Sequence, residues 1–281
     1  MEIISDIAEL RQIIQQFKRQ EKSIGFVPTM GALHDGHLAL IHASTNQNDI
    51  TICSIFVNPT QFNNAVDLKN YPLETDADIA KLETANCSVV FMPPKEKMYE
   101  KDFLLNIHIG YLEEIMEGKF RPGHFKGVGL IVTKLFNLVE PNRAYFGTKD
   151  LQQLTIIRRL TNELLFNIEI VPVSTVREED GLAMSSRNKL LTTKERFQAI
   201  DLYEALQVAK KKLMAGESVI SVQEHIQEFF KSESLIELEY FEIVRTSDLQ
   251  KITKIHNADD VSLCIAGHLG KVRLIDNILL N

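Results

Sequence analysis

Apolar and polar positions fall into two patterns along this chain. "SIGFVP", "ITICSIFV", "CSVVFMP", "RAYFG" and "NIEIVPV" are short runs rich in Val, Ile and Phe without polar alternation. Such runs predict strands buried on both faces. Helical spacing fills the intervals at 37–48, 74–86, 125–139 and 149–165. The N-terminal "MEIISDIAELRQIIQQFKRQ" predicts an amphipathic helix capped by Ser5 or Asp6 rather than a signal peptide. Strands alternating with helices imply right-handed crossovers and a parallel sheet, a Rossmann-like α/β arrangement.

The pattern changes after about Val176. "REEDGLAMSSRNKLLT" has no periodicity and predicts a polar loop in which "REED" is a solvated turn. Helices are then expected at 193–214 and 221–232, followed by alternating segments at 236–245, 261–268 and 271–280. "AGHLGKVRLI" predicts a tight hairpin turning at Leu269–Gly270. The expected organisation is a Rossmann-like domain over 1–176 and a smaller α+β domain with an antiparallel sheet over 177–281. The 177–191 loop is expected to close over the active site. No internal repeat or low-complexity tract interrupts this plan.

Composition narrows the function classes. A chain of 281 residues that is 44% hydrophobic and 25% charged can bury a substantial core. A net charge of −7 gives no basic field for gripping nucleic acid. No apolar run approaches the roughly 20 residues of a membrane-spanning helix. Cys53, Cys87 and Cys264 are odd in number, scattered and set in apolar runs, which points to buried thiols and a reduced, cytoplasmic setting.

In open parallel sheets ligands bind beyond the carboxyl ends of the strands. "PTMGALHDGH", "VNPTQF", "GTKD" and "TVREEDGLAMSSR" each follow a predicted strand, so they are expected to converge on one edge. In HDGH, a helix starting near Gly36 would offer free N–H groups to an anion, joined by His34 and His37. Gly31 and Gly36 would let backbone approach the ligand. A metal site or incidental surface histidines are the alternatives; the metal reading lacks a third ligand beyond Asp35. "MSSR" supplies Ser185, Ser186 and Arg187 for a triphosphate, against the alternative of a plain surface loop. In "GTKD", Lys149 can meet a phosphate, and Gly147 and Asp150 can approach a ribose, unless Asp150 is only a helix cap. "GVG" at 127–129 lacks the dinucleotide fingerprint. His124 in "FRPGHF" belongs to a mobile lid or an ordinary turn. His42, His108, His225, His256 and His268 are expected to lack partners.

Together, "PTMGALHDGHLAL", "FVNPTQF", "NYPLETDADIAKLE", "FRPGHFKGVGLIVTKLFNLVEPNRAYFGTKDLQQL" and "GLAMSSRN" closely resemble the pantothenate synthetase family from about Ile24 to Leu191. The likeness continues more weakly in "AGHLGKVRLIDN". HxGH and MSSR also resemble the paired signatures of the wider nucleotidyltransferase group that includes class I aminoacyl-tRNA synthetases.

The resemblance implies an AMP-forming pantoate–β-alanine ligase in coenzyme A biosynthesis. Pantoate and ATP give pantoyl adenylate and pyrophosphate, and β-alanine then displaces AMP. Carried over by position, ATP contacts Met30, Gly31, Ala32, Leu33, His34, Asp35, Gly36, His37, Gly147, Thr148, Lys149, Asp150, Val176, Met184, Ser185, Ser186 and Arg187. His37 matches the proton donor, and His34, Lys149, Ser185, Ser186 and Arg187 complete the catalytic set. Pantoate contacts Gln61 and Gln153, and β-alanine shares Gln61. Mg²⁺ bridges the phosphates. Ala77 interrupts a run of acids, which leaves open whether Asp76 or Asp78 reaches the metal. The family implies a homodimer. Two rivals are another adenylyl- or cytidylyl-transferring enzyme, and a nucleotide sensor that needs neither Lys149 nor Arg187.

Overall fold

A computed structural model describes residues 1–100, 103–232 and 234–281. The chain divides into two compact units, residues 1–148 with 152–174 and residues 149–151 with 175–281.

The first unit begins with a strand that the sequence does not predict, β1 (Glu2–Ile4), ahead of the helix expected from a cap at Ser5 or Asp6. Three residues are too few to show alternation, yet Ile4 is fully buried and β1 pairs in parallel with a later strand. Helix α1 (Ile7–Arg19) follows, and Asp6 caps it by accepting from the amides of Ala8 and Glu9. Next come β2 (Ile24–Thr29), α2 (Asp35–Gln47), β3 (Ile50–Ile55), α3 (Ala65–Lys69), α4 (Thr75–Thr84) and β4 (Val89–Phe91). The short helices α5 (Lys95–Met98) and α6 (Met116–Phe120) precede α7 (His124–Val139), β5 (Arg143–Gly147), α8 (Leu151–Glu163) and β6 (Glu169–Val173).

These strands form a six-stranded sheet in the order β1-β4-β3-β2-β5-β6, and every recorded pairing is parallel. This is the expected α/β class. β6 corrects one detail: it is an edge strand with Glu169 and Pro172 exposed, not one buried on both faces. Proline is tolerated there because an edge strand has one side with no ladder to complete.

Strand order reverses at β2, which has β3 on one side and β5 on the other. β2 and β3 pair from Ile24–Ile50 to Thr29–Ile55. The β2–β5 pairing covers only Gly25–Arg143 and Phe26–Ala144. The carboxyl halves of β2 and β5 are therefore unpaired with each other, which is where open sheets of this kind admit ligands.

In the second unit, α9 (Thr193–Gln198), α10 (Asp201–Met214) and α11 (Val219–Ser232) precede the antiparallel sheet β7 (Glu237–Arg245), β8 (Val261–Leu269), β9 (Val272–Leu279). α9 and α10 divide the single helix expected over 193–214. Ala199 and Ile200 between them keep helical torsions, so the interruption is slight. α10 packs on β8 and β9, and α11 packs on β7, enclosing Leu202, Leu206, Phe241, Leu263 and Ile265. The hairpin turns at Gly270–Lys271, one residue later than expected, because Leu269 still pairs with Val272. Gly270 takes the positive φ (+59°) that such two-residue turns favour.

Candidate active site

The segment between β2 and α2 is built on left-handed backbone. Gly31 has φ +84° and Ala32 has φ +52°, which turns the chain sharply away from the sheet. Asp78, from the first turns of α4, is 1% exposed and lies beneath this turn. Its Oδ2 accepts from the amide of Ala32 at 2.8 Å and its Oδ1 from the amide of Leu33 at 2.7 Å. Lys81, one turn further on, donates to the Leu33 carbonyl. Thr29 Oγ1 accepts from the Gly31 amide at 3.3 Å.

The two histidines then cap α2 reciprocally. His34 is the N-cap residue, and its Nδ1 accepts from the Gly36 amide at 3.2 Å. His37 Nδ1 accepts from the His34 amide at 3.3 Å, and the ring centroids lie 4.1 Å apart. A ring nitrogen that accepts a hydrogen bond carries no hydrogen, so each neutral imidazole holds its proton on Nε2. The result is a pair of oriented Nε2–H donors at the start of a helix.

This changes how the motif presents itself. Of the amides expected to be free at the start of this helix, that of Gly36 donates to His34 Nδ1 and those of His37 and Leu38 to the His34 carbonyl, and the amides of residues 31 to 34 ahead of it also have acceptors. The left-handed turn forms a small amide concavity of the kind that binds anions, and the Asp78 carboxylate fills it. Asp78 is thereby occupied on both oxygens, whereas Asp76 and Asp35 are exposed. Among the described residues, no three His, Cys, Asp or Glu side chains gather into a metal-holding group.

Gln61 lies in the turn after β3 and is 8% exposed. Its Nε2 donates to Met30 Sδ at 2.9 Å, and its Oε1 accepts from Asn58 Nδ2 at 3.1 Å. Asn58 also donates to the Gly127 carbonyl (3.1 Å), and its Oδ1 accepts from Tyr99 Oη (2.7 Å) and Thr60 Oγ1 (3.0 Å). Burial pushes the Tyr99 phenol up, so it stays protonated and donating. Gly127 packs against this turn so tightly that a Cβ there would fall 2.3 Å from the Thr60 carbonyl oxygen. His124 is no lid. It is buried at the start of α7, with Nδ1 2.8 Å from the Gln61 carbonyl oxygen and Nε2 3.2 Å from Arg121 Nη1. The carbonyl can only accept, so His124 Nδ1 donates.

Gly147 and Thr148 close β5 beside the unpaired end of β2. A Cβ on Gly147 would meet nothing within 4 Å, and its φ is not positive. Neither packing nor torsion requires glycine there, so the open space beside it is available to a ligand. Gln153 is half-buried on α8, whereas its neighbour Gln152 is buried and bonded to the Glu117 amide and the Leu112 and Ile115 carbonyls.

In the second unit, Lys149 has its carbonyl held by Asn277 Nδ2 at 2.7 Å, and its ammonium is 3.8 Å from the exposed Asp150. Residues 176–188 are a braced hairpin, not a loose polar loop. Arg177 bridges to Ala183, and the Met184 amide donates to the Val176 carbonyl at 3.0 Å. The expected solvated "REED" turn is an ion-pair centre. Arg177 grips buried Asp276 through two bonds of 2.6 and 3.0 Å and stacks 4.1 Å over Tyr203. Arg196 holds Glu178 at 2.6 Å and Asp180 at 2.8 Å. Ser185 Oγ accepts from the Arg187 amide at 3.2 Å, starting the short turn Ser186–Leu190 that carries Ser186 and Arg187 half-buried.

Among the predicted residues, contacts join Met30 to Gln61 and His34 to His37 in the first unit, and Val176 to Met184 and Ser185 to Arg187 in the second, where Lys149 instead meets Asp150 and Asn277. Sequence reasoning missed Asn58, Tyr99, Arg177 and Asp276, and it offered Asp78 only as a possible metal ligand, not as an acceptor for backbone amides. For Asp78 there was a signal, because it shares a helical face with Leu82 and Ala85, where a carboxylate needs a partner. His108 and His268, expected to lack partners, lie 3.2 Å from Glu113 and 3.3 Å from Glu239. The three cysteines are buried and outside any disulfide, as expected, and burial raises the Cys87 thiol to about 11.

The fold defines an open α/β protein with a switch point at the carboxyl ends of β2 and β5. The chain belongs to the pantoate-beta-alanine ligase family, whose profile it matches over residues 2–279. A pantothenate synthetase of Caldicellulosiruptor bescii is 45% identical over 280 residues, 99% of each chain. That of Cytophaga hutchinsonii is 42% identical over 278 residues, 99% of this chain and 98% of the relative. The solved pantothenate synthetase of Thermus thermophilus superposes with TM-score 0.93 at 39% identity, covering 100% of this chain and 99% of that one. A pantoate-beta-alanine ligase of Francisella tularensis, solved with beta-gamma ATP and beta-alanine, gives TM-score 0.83 at 37% identity, with 100% and 98% covered. No helix among the described residues is long and apolar enough to cross a membrane.

Proposed function

We propose that the protein joins pantoate to β-alanine with ATP as the driving reactant, giving pantothenate, AMP and pyrophosphate through pantoyl adenylate. The observation that carries this is the reciprocal capping of His34 and His37, which fixes two Nε2–H donors beside the β2–β5 switch point. Family membership and the names of its relatives support the substrates.

In the first step a pantoate carboxylate oxygen attacks the α-phosphorus of ATP, and the bond from that phosphorus to the bridging oxygen breaks. Two anions must meet, so positioning and neutralisation carry the rate. His34 and His37 donate to phosphate oxygens, with His37 the more important donor. Lys149 and Arg187 neutralise charge on the phosphates, and Ser185 and Ser186 donate hydroxyls. Gln61, oriented by Asn58 and bordered by Met30, and Gln153 recognise pantoate. In the second step the β-alanine amine, near Gln61, attacks the acyl carbon, AMP departs and the amine loses its proton.

By the family resemblance, residues 30–37, 147–150, Val176 and 184–187 are the ones assigned to ATP. Mg²⁺ accompanies the phosphates, where oxygen and water ligands suffice. Asp78 is assigned to the turn rather than to the ion, because it is 1% exposed and each of its carboxylate oxygens accepts an amide hydrogen. A cytoplasmic homodimer belongs to the same proposal, through the family resemblance.

The test is pyrophosphate exchange into ATP. Exchange should require pantoate and Mg²⁺ but neither β-alanine nor tRNA, and the complete reaction should release AMP. ADP and phosphate as products would overturn the adenylate route.

A further inference from the structure

We propose that Asp78 is a positioning residue: its buried carboxylate serves as a built-in anion that holds the left-handed Gly31–Ala32 turn and so sets Met30 and His34. The inference rests on the proposed function only for its kinetic readout. A non-glycine residue at φ +52° carries a steric cost that surrounding structure must offset. Here the offset is local and identifiable. The two carboxylate oxygens take the successive amides of Ala32 and Leu33 at 2.8 and 2.7 Å. Charge-assisted bonds of this type are about twice as strong as neutral ones. Lys81 holds the Leu33 carbonyl, so α4 grips both polar groups of one peptide-length segment. The turn leads directly into His34, whose amide is the next along the chain and belongs to His37. A shift at residue 32 thus reaches the histidine pair through two peptide units and, in the other direction, Met30 against Gln61.

Asp78→Asn keeps the shape but replaces one acceptor oxygen with an NH₂ that faces an amide hydrogen. The expected result is a 10- to 100-fold fall in kcat for pantoate-dependent exchange, with the half-saturating Mg²⁺ concentration unchanged within about twofold. Adding Ala32→Gly to Asp78→Asn should restore at least threefold of that loss, since glycine takes positive φ without the Cβ penalty. A metal-ligand role gives the opposite pattern: a Mg²⁺ requirement raised tenfold or more and no recovery from glycine, and that overturns the proposal. Native kcat in Asp78→Asn overturns it too. If the variant does not fold, amide hydrogen exchange on the native protein decides. Ala32 and Leu33 amides should be protected without nucleotide or Mg²⁺, and exchange at unprotected rates would show that no internal anion holds them. That measurement stands even if pantoate supports no exchange reaction, so the two proposals fail separately.

Discussion

Residues 29–34 and residues 176–188 are both irregular, and each is tied to a buried aspartate distant in sequence, but the ties differ in kind. Asp78 binds two neutral amides, so the carboxylate shapes the backbone itself. Asp276 binds the Arg177 guanidinium, while the backbone of that hairpin bonds to itself through Met184 and Val176. The first segment would lose its conformation without its aspartate. The second would keep its pairing and lose its brace. An anchor made of amides sets the geometry of one turn, whereas an ion pair fixes where a finished hairpin is held.

The comparison breaks most readily at Arg177. Arg177→Ala leaves Asp276 buried without its cation, and chemical denaturation at neutral pH should show a loss of roughly 3–5 kcal/mol. Arg177→Met with Asp276→Leu should regain most of it, and a single-variant loss near zero would mean that the pair is no anchor. His37→Ala should cut kcat for adenylate formation by about 100- to 1000-fold with little change in melting temperature. Near-native turnover would remove the donor pair from the chemistry. Gln61→Ala and Gln153→Ala should each weaken pantoate binding by roughly 10- to 100-fold while sparing ATP. Calorimetric titration of both ligands checks this, and an equal loss for ATP would move the glutamines out of the acid site.

The smallest effect separates the acids of the second unit by pH. The hydrogen bond from Arg196 holds Asp180 below the ordinary carboxylate value of 3.8. Its contribution to stability is present above that value and is lost as pH falls through the lowered folded pKa. Burial raises Asp276 despite Arg177. Its folded form takes up a proton at higher pH than the unfolded chain does, so its contribution is full below 3.8 and fades as pH rises through the folded pKa. On acidification Asp180→Asn should therefore flatten the fall in stability seen for the native protein, and Asp276→Asn should steepen it. The opposite signs would reverse the two assignments.

Much of this was legible in the residues. The strands β2 to β5, the helix after HDGH and the C-terminal meander follow from apolar spacing, because core packing writes itself into periodicity. β1 was not, since three residues carry no period and its partner β4 lies far along the chain. Edge exposure of β6 was hidden for a related reason: strand order is a property of the whole sheet. The histidines and MSSR stood out by type. Asp78 stood out only as a possible metal ligand, and Arg177 and Asp276 not at all, because a charged side chain among surface-like residues shows its burial only when the distant group that satisfies it is in place.

The short β2–β5 seam has a consequence for how the chain assembles. β2, β3 and β4 can pair within about seventy residues of sequence, and β5 with β6 within about thirty. Joining Gly25 to Arg143 closes a loop of more than a hundred residues for little pairing in return. Loop-closure entropy grows slowly with length, but non-local contacts of this kind delay folding. The two halves of the sheet are thus expected to form before they meet, with the seam as the late step. Only then do the segments that follow β2 and β5 leave adjacent strands of one sheet. The candidate site of the first unit is therefore expected to be among the last parts of the molecule to exist during folding.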